Sequence, residues 1–135
     1  MHFGSNSRSK GLFLVIVGVL LGGILSPLAL FGFTMNKPAR LEINIGNHRR
    51  VFEGRAVNNM TILDALNASS AAGNISLKYV LDPLNDEAKI LSLDGYNSES
   101  NSALLAFYLN SQKVRTEKIH SIHIKSGDVI LVKTE

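Results

Sequence analysis

Gly11 to Phe33, GLFLVIVGVLLGGILSPLALFGF, runs for 23 residues without a charge. At a helical rise of about 1.5 Å per residue it would reach roughly 35 Å, against a bilayer core of about 30 Å. A single transmembrane helix is therefore expected. It divides the chain into a cytoplasmic tail (1–10), an anchor (11–33), a linker (34–39) and one folded domain (40–135). The tail places Arg8 and Lys10 ahead of the apolar run, as a secretory signal would. The run exceeds the usual signal length of about 7–15 residues, and Pro27-Leu28-Ala29 makes a poor cleavage site, so the anchor is expected to stay attached. Arg8 and Lys10 are nearly balanced by Lys37 and Arg40 across the segment. Large domains cross membranes with little regard to charge. A single-pass protein with an extracytoplasmic carboxyl-terminal domain is the simpler arrangement.

Gly11, Gly18, Gly22 and Ser26 stack along one face of such a helix. Small residues let a second backbone approach closely, where packing supplies the attraction in lipid. This face is the expected contact for a transmembrane partner helix or a second copy.

The chain holds no cysteine, which excludes disulfides, thiolate nucleophiles and cysteine-bound zinc. From Asn36 onward Lys and Arg exceed Asp and Glu by one, so no nucleic-acid partner is expected. The positive charge gathers early. Lys37, Arg40, Arg49 and Arg50 form a candidate membrane-surface group, with Arg55 and His48 close in sequence. Arg49 and Arg50 are adjacent, so a strand would send them to opposite faces.

Alternation of Leu41, Ile43 and Ile45 with polar residues predicts a half-buried strand, turned at Gly46-Asn47 into a second strand over 48–54. Asn59 or Thr61 is placed to cap a helix running to about Ala72 and stopped at Gly73. Strands are expected over 75–82 and 89–94, then a polar loop over 96–102. Ala103–Leu109 is the most apolar run outside the anchor and is expected to be the central strand; Val129–Val132 would be the last. One helix must cover one face of this sheet, because neither element buries its apolar side alone. The expected fold class is α+β.

The motifs Met60-Thr61-Ile62-Leu63-Asp64-Ala65-Leu66, Leu93-Asp94-Gly95-Tyr96, Ala106-Phe107-Tyr108-Leu109-Asn110 and Ser126-Gly127-Asp128-Val129-Ile130 resemble, in order and spacing, the β-grasp domain similar to the carboxyl-terminal domain of transcobalamin and intrinsic factor. The resemblance implies a β-grasp-like mixed sheet with one packed helix, often in secreted or surface-anchored modules. Some vertebrate relatives contact cobalamin. This chain lacks the tryptophan of that family's central strand and carries Ser111 where the family has glycine, so no cofactor is expected.

No catalytic constellation is visible: there is no G-x-S-x-G elbow, and the histidines stand in no triad pattern. Glu117, His120 and His123 are three apart, but in extended chain neighbours at that spacing diverge, so no metal site is expected. Tyr96, Asn97, Phe107, Tyr108 and Asn110 are the candidate ligand-binding residues, aromatics beside a polar loop; alternation puts Phe107 or Tyr108 in the core. The expected function is a non-enzymatic module binding a protein or small molecule. The alternative is an accessory subunit of a membrane complex, assembled through Gly18 and Gly22.

Overall fold

The computed structural model describes Ile16–Val17 and residues 37–135. The described chain is α+β. Strands β1 (Ile16–Val17), β2 (Ala39–Ile45) and β3 (His48–Gly54) lead to helix α1 (Ile62–Gly73). After the helix come β4 (Leu77–Asp82), β5 (Glu87–Leu93), β6 (Tyr96–Asn97), β7 (Leu105–Leu109), β8 (Gln112–Val114), a 3-10 turn (Thr116–Lys118) and β9 (Val129–Thr134). Among the described residues no helix is long and apolar enough to cross a membrane. Of the expected anchor, Ile16 and Val17 alone are described, as a strand against Phe52 and Glu53 of β3. The rest of 11–33, with Gly11, Gly18, Gly22 and Ser26, lies outside the described residues.

Two sheets form where one was expected. The larger runs β1-β3-β2-β9-β7-β8, and the smaller runs β4-β5-β6. In the larger sheet β2 and β9 are parallel, from Arg40 opposite Val129 to Asn44 opposite Lys133. Its other pairs are antiparallel. The alternation read in β2 appears as burial of Ala39, Leu41, Ile43 and Ile45.

Ala103–Leu109 is not the central strand. It shortens to β7 and sits between β9 and the edge strand β8. The cause is local. Asn110 and Ser111 both adopt left-handed backbone, φ 51° and 71°. Two such residues make a tight hairpin that returns the chain at once, so β8 pairs with β7 and leaves β9 to pair with β2. Apolar content marked burial over Leu105, Ala106 and Phe107, not over the whole run and not its place in the sheet, since Leu104 is exposed.

Helix α1 opens on a capping box. Thr61 Oγ1 accepts from the Asp64 N–H at 3.1 Å, and the Asp64 carboxylate accepts from the Thr61 N–H at 3.0 Å. The Ile62 and Leu63 N–H groups donate to the carbonyls of Ile122 and Ile119. Asn74 ends the helix in left-handed backbone. Ile62, Leu63, Ala65, Leu66 and Ser69 are buried. The four apolar ones belong to one core with Leu41, Ile43, Phe52, Phe107, Ile130 and Val132, which the smaller sheet extends through Ala88, Ile90, Leu93 and Tyr96.

Gly73 sets the approach of α1 to the sheet. A Cβ there would stand 2.5 Å from Phe52 Cε1 and 2.8 Å from Cζ, and Phe52 is fully buried. Gly73→Ala is expected to lower the unfolding free energy by about 1–3 kcal/mol in urea titrations, despite alanine's better helix propensity. Pairing it with Phe52→Leu should recover part of that loss, because the two residues couple through one contact.

Candidate functional site

The candidate ligand residues do not converge. Tyr96 is 5% exposed in β6 and belongs to the core. Phe107 is fully buried. Neither side chain is presented to a ligand, which corrects both assignments. The cause is pairing: Tyr96 stands opposite Leu93 on β5, and Phe107 shares the inward face of β7 with Leu105 and Leu109. Asn97 is exposed, but its carboxamide oxygen accepts from the Glu99 N–H at 2.8 Å, and its own N–H donates to Asn101 Oδ1 at 3.1 Å. Asn110 works as a latch. Its amide donates to Asp128 Oδ1 at 2.9 Å, and its oxygen accepts from the Val129 N–H at 2.9 Å.

Tyr108 remains, on the outward face of β7 opposite Leu131 and Lys113. Its hydroxyl donates to Glu135 Oε1, and Lys133 Nζ lies 5.1 Å from its ring centroid. Lys113 Nζ donates to the other Glu135 oxygen at 2.8 Å. Glu135 is tied into the sheet by exchanging both backbone hydrogen bonds with Leu104. The Lys113 ammonium, then the Tyr108 hydroxyl, hold the Glu135 carboxyl down at about 2. In return Glu135 raises the Tyr108 phenol and the Lys113 ammonium above their ordinary ranges.

This cluster closes one side of an open groove of about 690 Å³. Leu104, Ala106, Lys113, Arg115, Glu117 and Glu135 line it. It exists because β8 is only three residues long. Past Val114 the chain leaves the sheet into the 3-10 turn, where Thr116 Oγ1 lies 3.4 Å from the Leu105 carbonyl. Leu104 is 72% exposed at the rim. Arg115 pairs with Glu117 at 3.2 Å. The groove thus offers one free apolar side chain between two internally balanced ion pairs. The short strand and its glycine-free hairpin gave no periodic signal, so this site was not visible in the sequence; Asn110-Ser111, with Leu104 next to a buried strand, was the only hint.

The expected membrane-surface arginines are engaged within the domain. Arg49 Nε donates to Glu42 at 2.9 Å, and Arg40 lies 3.6 Å from Glu42 and 3.7 Å from Glu53. Arg50 pairs with Asp94 at 2.8 Å. Arg49 and Arg50 do point to opposite faces, so Lys37, Arg40, Arg49 and Arg50 form no single patch. The Arg49 bond, chiefly, lowers the Glu42 carboxyl.

Glu117, His120 and His123 are also separated. Glu117 faces Arg115, His120 Nε2 is 2.9 Å from Asp86, and His123 bridges to Thr61 through backbone. The His120 bond lowers the Asp86 carboxyl. Among the described residues no group of three or more His, Cys, Asp or Glu is arranged to hold a metal.

No family model matches the chain, and no curated protein matches it in sequence. It is similar in fold to a solved structure from Ruminococcus gnavus, titled a "putative metal binding protein", with a TM-score of 0.56 and 14% identity. The match covers 73% of this chain and 96% of that one. At that identity the likeness concerns the fold alone.

A carboxyl lowered in the folded state stabilises above its unfolded value and loses that contribution as pH falls through the folded value. For Glu135 the window runs from the ordinary 4.5 down to about 2. Glu135→Gln is expected to flatten the fall of the urea midpoint across that window relative to wild type. Spectrophotometric titration should also find the Tyr108 phenol returned toward its usual range.

Proposed function

We propose that the chain is a membrane-anchored, extracytoplasmic, non-enzymatic binding module with a β-grasp-like domain, recognising a protein or small ligand through the groove beside β8. The observation that carries the anchor is distance along the chain: the 23-residue uncharged run ends at Phe33, and β2 begins at Ala39. Insertion requires Ile16 and Val17 to leave β3. A two-residue ladder is a small loss against burying a 23-residue uncharged, largely apolar run in hydrocarbon.

The β-grasp-like reading is supported by three features. A hairpin, β2–β3, precedes the helix. That helix buries its apolar face in the same core as the hairpin. The first and last strands of the domain lie parallel at the middle of the sheet. Leu104 is the groove's strongest attraction for a ligand, since an exposed apolar side chain gains most from being covered. The second reading is an accessory subunit assembled through Gly11, Gly18, Gly22 and Ser26, which the small-residue face favours.

Membranes carrying the full chain should retain it through alkaline carbonate, and protease added outside sealed cells should remove the domain. Release by carbonate overturns the anchor; protection from protease overturns the outward orientation. Capture in mild detergent then separates the two readings. Partners lost on Leu104→Asp mark the groove as the binding surface. Partners lost instead on Gly18→Leu with Gly22→Leu mark the helix and the subunit role.

A further inference from the structure

We propose that the end of the domain where β2 begins is a lipid-facing surface, on which Lys37, Arg55 and Lys125 meet anionic phospholipid head groups. The proposal rests on the anchored reading. Five residues, 34–38, separate Phe33 from Ala39. A chain that short reaches at most about 20 Å, so this end of the domain is held against the bilayer.

The topology brings three separate stretches to that end. Lys37 leads directly into β2. Gly54 stands opposite Ala39, so Arg55 leaves β3 beside it. The turn Lys125–Asp128 packs there too: the Arg40 N–H donates to the Asp128 carbonyl at 2.9 Å, and a Cβ on Gly127 would lie 3.7 Å from Lys37 Cδ. Lys37, Arg55 and Lys125 are all exposed. They make no ion pair among the described residues, whereas Arg40, Arg49 and Arg50 are each paired. The acid at this end, Asp128, is buried, and its carboxylate accepts from the Asn110 amide and the Lys125 N–H. Glu53, one residue further along β3, is taken by Arg40. Unbalanced positive charge therefore sits at the membrane-proximal end. Each basic side chain at an anionic surface is worth about a fivefold shift toward the docked state, about a hundredfold for three. Docking would fix the domain's orientation and direct its groove.

The absence of native cysteine allows a single reporter. The full chain carries an environment-sensitive fluorophore on Ser126→Cys, in nanodiscs of phosphatidylcholine alone or mixed with phosphatidylglycerol. A second preparation carries it on Asn47→Cys, at the opposite end of β2. The Ser126 label is expected to shift to the blue, and to be quenched by head-group spin labels, only in the anionic discs. High salt should reverse both effects, and inorganic phosphate added to neutral discs should not reproduce them. The Asn47 label should not respond. Lys37→Glu with Arg55→Glu and Lys125→Glu should abolish the response while circular dichroism stays unchanged. Equal signals in the two lipids, or an unchanged signal after charge reversal, overturn the proposal. If the chain fails to stay in discs, the anchored reading fails separately. The surface is then read by co-sedimentation with phosphatidylglycerol vesicles, where binding lost on charge reversal supports it and no binding overturns it.

Discussion

The parallel pairing of β2 with β9 is the constraint on which the rest of the domain depends. It joins residues 40–44 to residues 129–133, so nearly the whole domain is a loop closed by one ladder. Closing so long a loop costs conformational entropy before any contact offsets it. Asp128 supplies the offset at one point. Its carbonyl receives the Arg40 N–H, its carboxylate receives Asn110 and the Lys125 N–H, and Asn110 in turn receives the Val129 N–H. One buried residue, Asp128, thus ties the start of the first domain strand through its carbonyl and the β7–β8 turn through its carboxylate, and Asn110 carries the tie on to the start of the last strand. The β7–β8 hairpin then adds to the free edge of β9, and β3 to that of β2.

What the ladder closes, the helix fills. Gly73 lets α1 lie against the Phe52 ring, and the carbonyls of Ile119 and Ile122 receive N–H groups that the first turn leaves open. The segment between β8 and β9 is therefore structural over 119–124, not a simple connector. Its course also shapes the groove. The chain leaves the sheet after Val114 to reach the helix, and the withdrawn edge leaves Leu104 uncovered. Groove and helix capping are two results of one detour.

Charge follows the same logic. Cross-strand neighbours absorb the arginines of the hairpin, since Arg40 and Arg49 flank Glu42 on one face while Arg50 reaches Asp94 on the other. Exposed pairs of this kind add little stability. Their effect is to neutralise three surface cations, while Lys37, Arg55 and Lys125 at the end where the chain joins the domain keep no carboxylate partner among the described residues.

The sequence by itself determined the local elements. Alternation in 41–45, the Gly46-Asn47 turn and the helix bounds all rest on forces acting within a few residues; of the two candidate caps, Asn59 and Thr61, the structure uses Thr61, and the left-handed stop falls on Asn74, one residue past Gly73. Burial was legible in part: alternation left Phe107 or Tyr108 for the core, and the structure buries Phe107, which also stood among the candidate ligand contacts. Partnership was not. Tyr96 looked like a loop aromatic until β6 paired it with Leu93, and Asn110 looked like a ligand contact until Asp128 came within reach. Alternation already set Arg49 and Arg50 on opposite faces; what it did not give was their partners, Glu42 and Asp94. The tertiary structure decided these at different reaches: Tyr96 meets Leu93 and Arg49 meets Glu42 across tight hairpins, whereas Asn110 meets Asp128 eighteen residues away and Arg50 meets Asp94 forty-four away. The order of strands around β2 and β9 has no local pattern behind it, because it is settled only when the long loop between them closes.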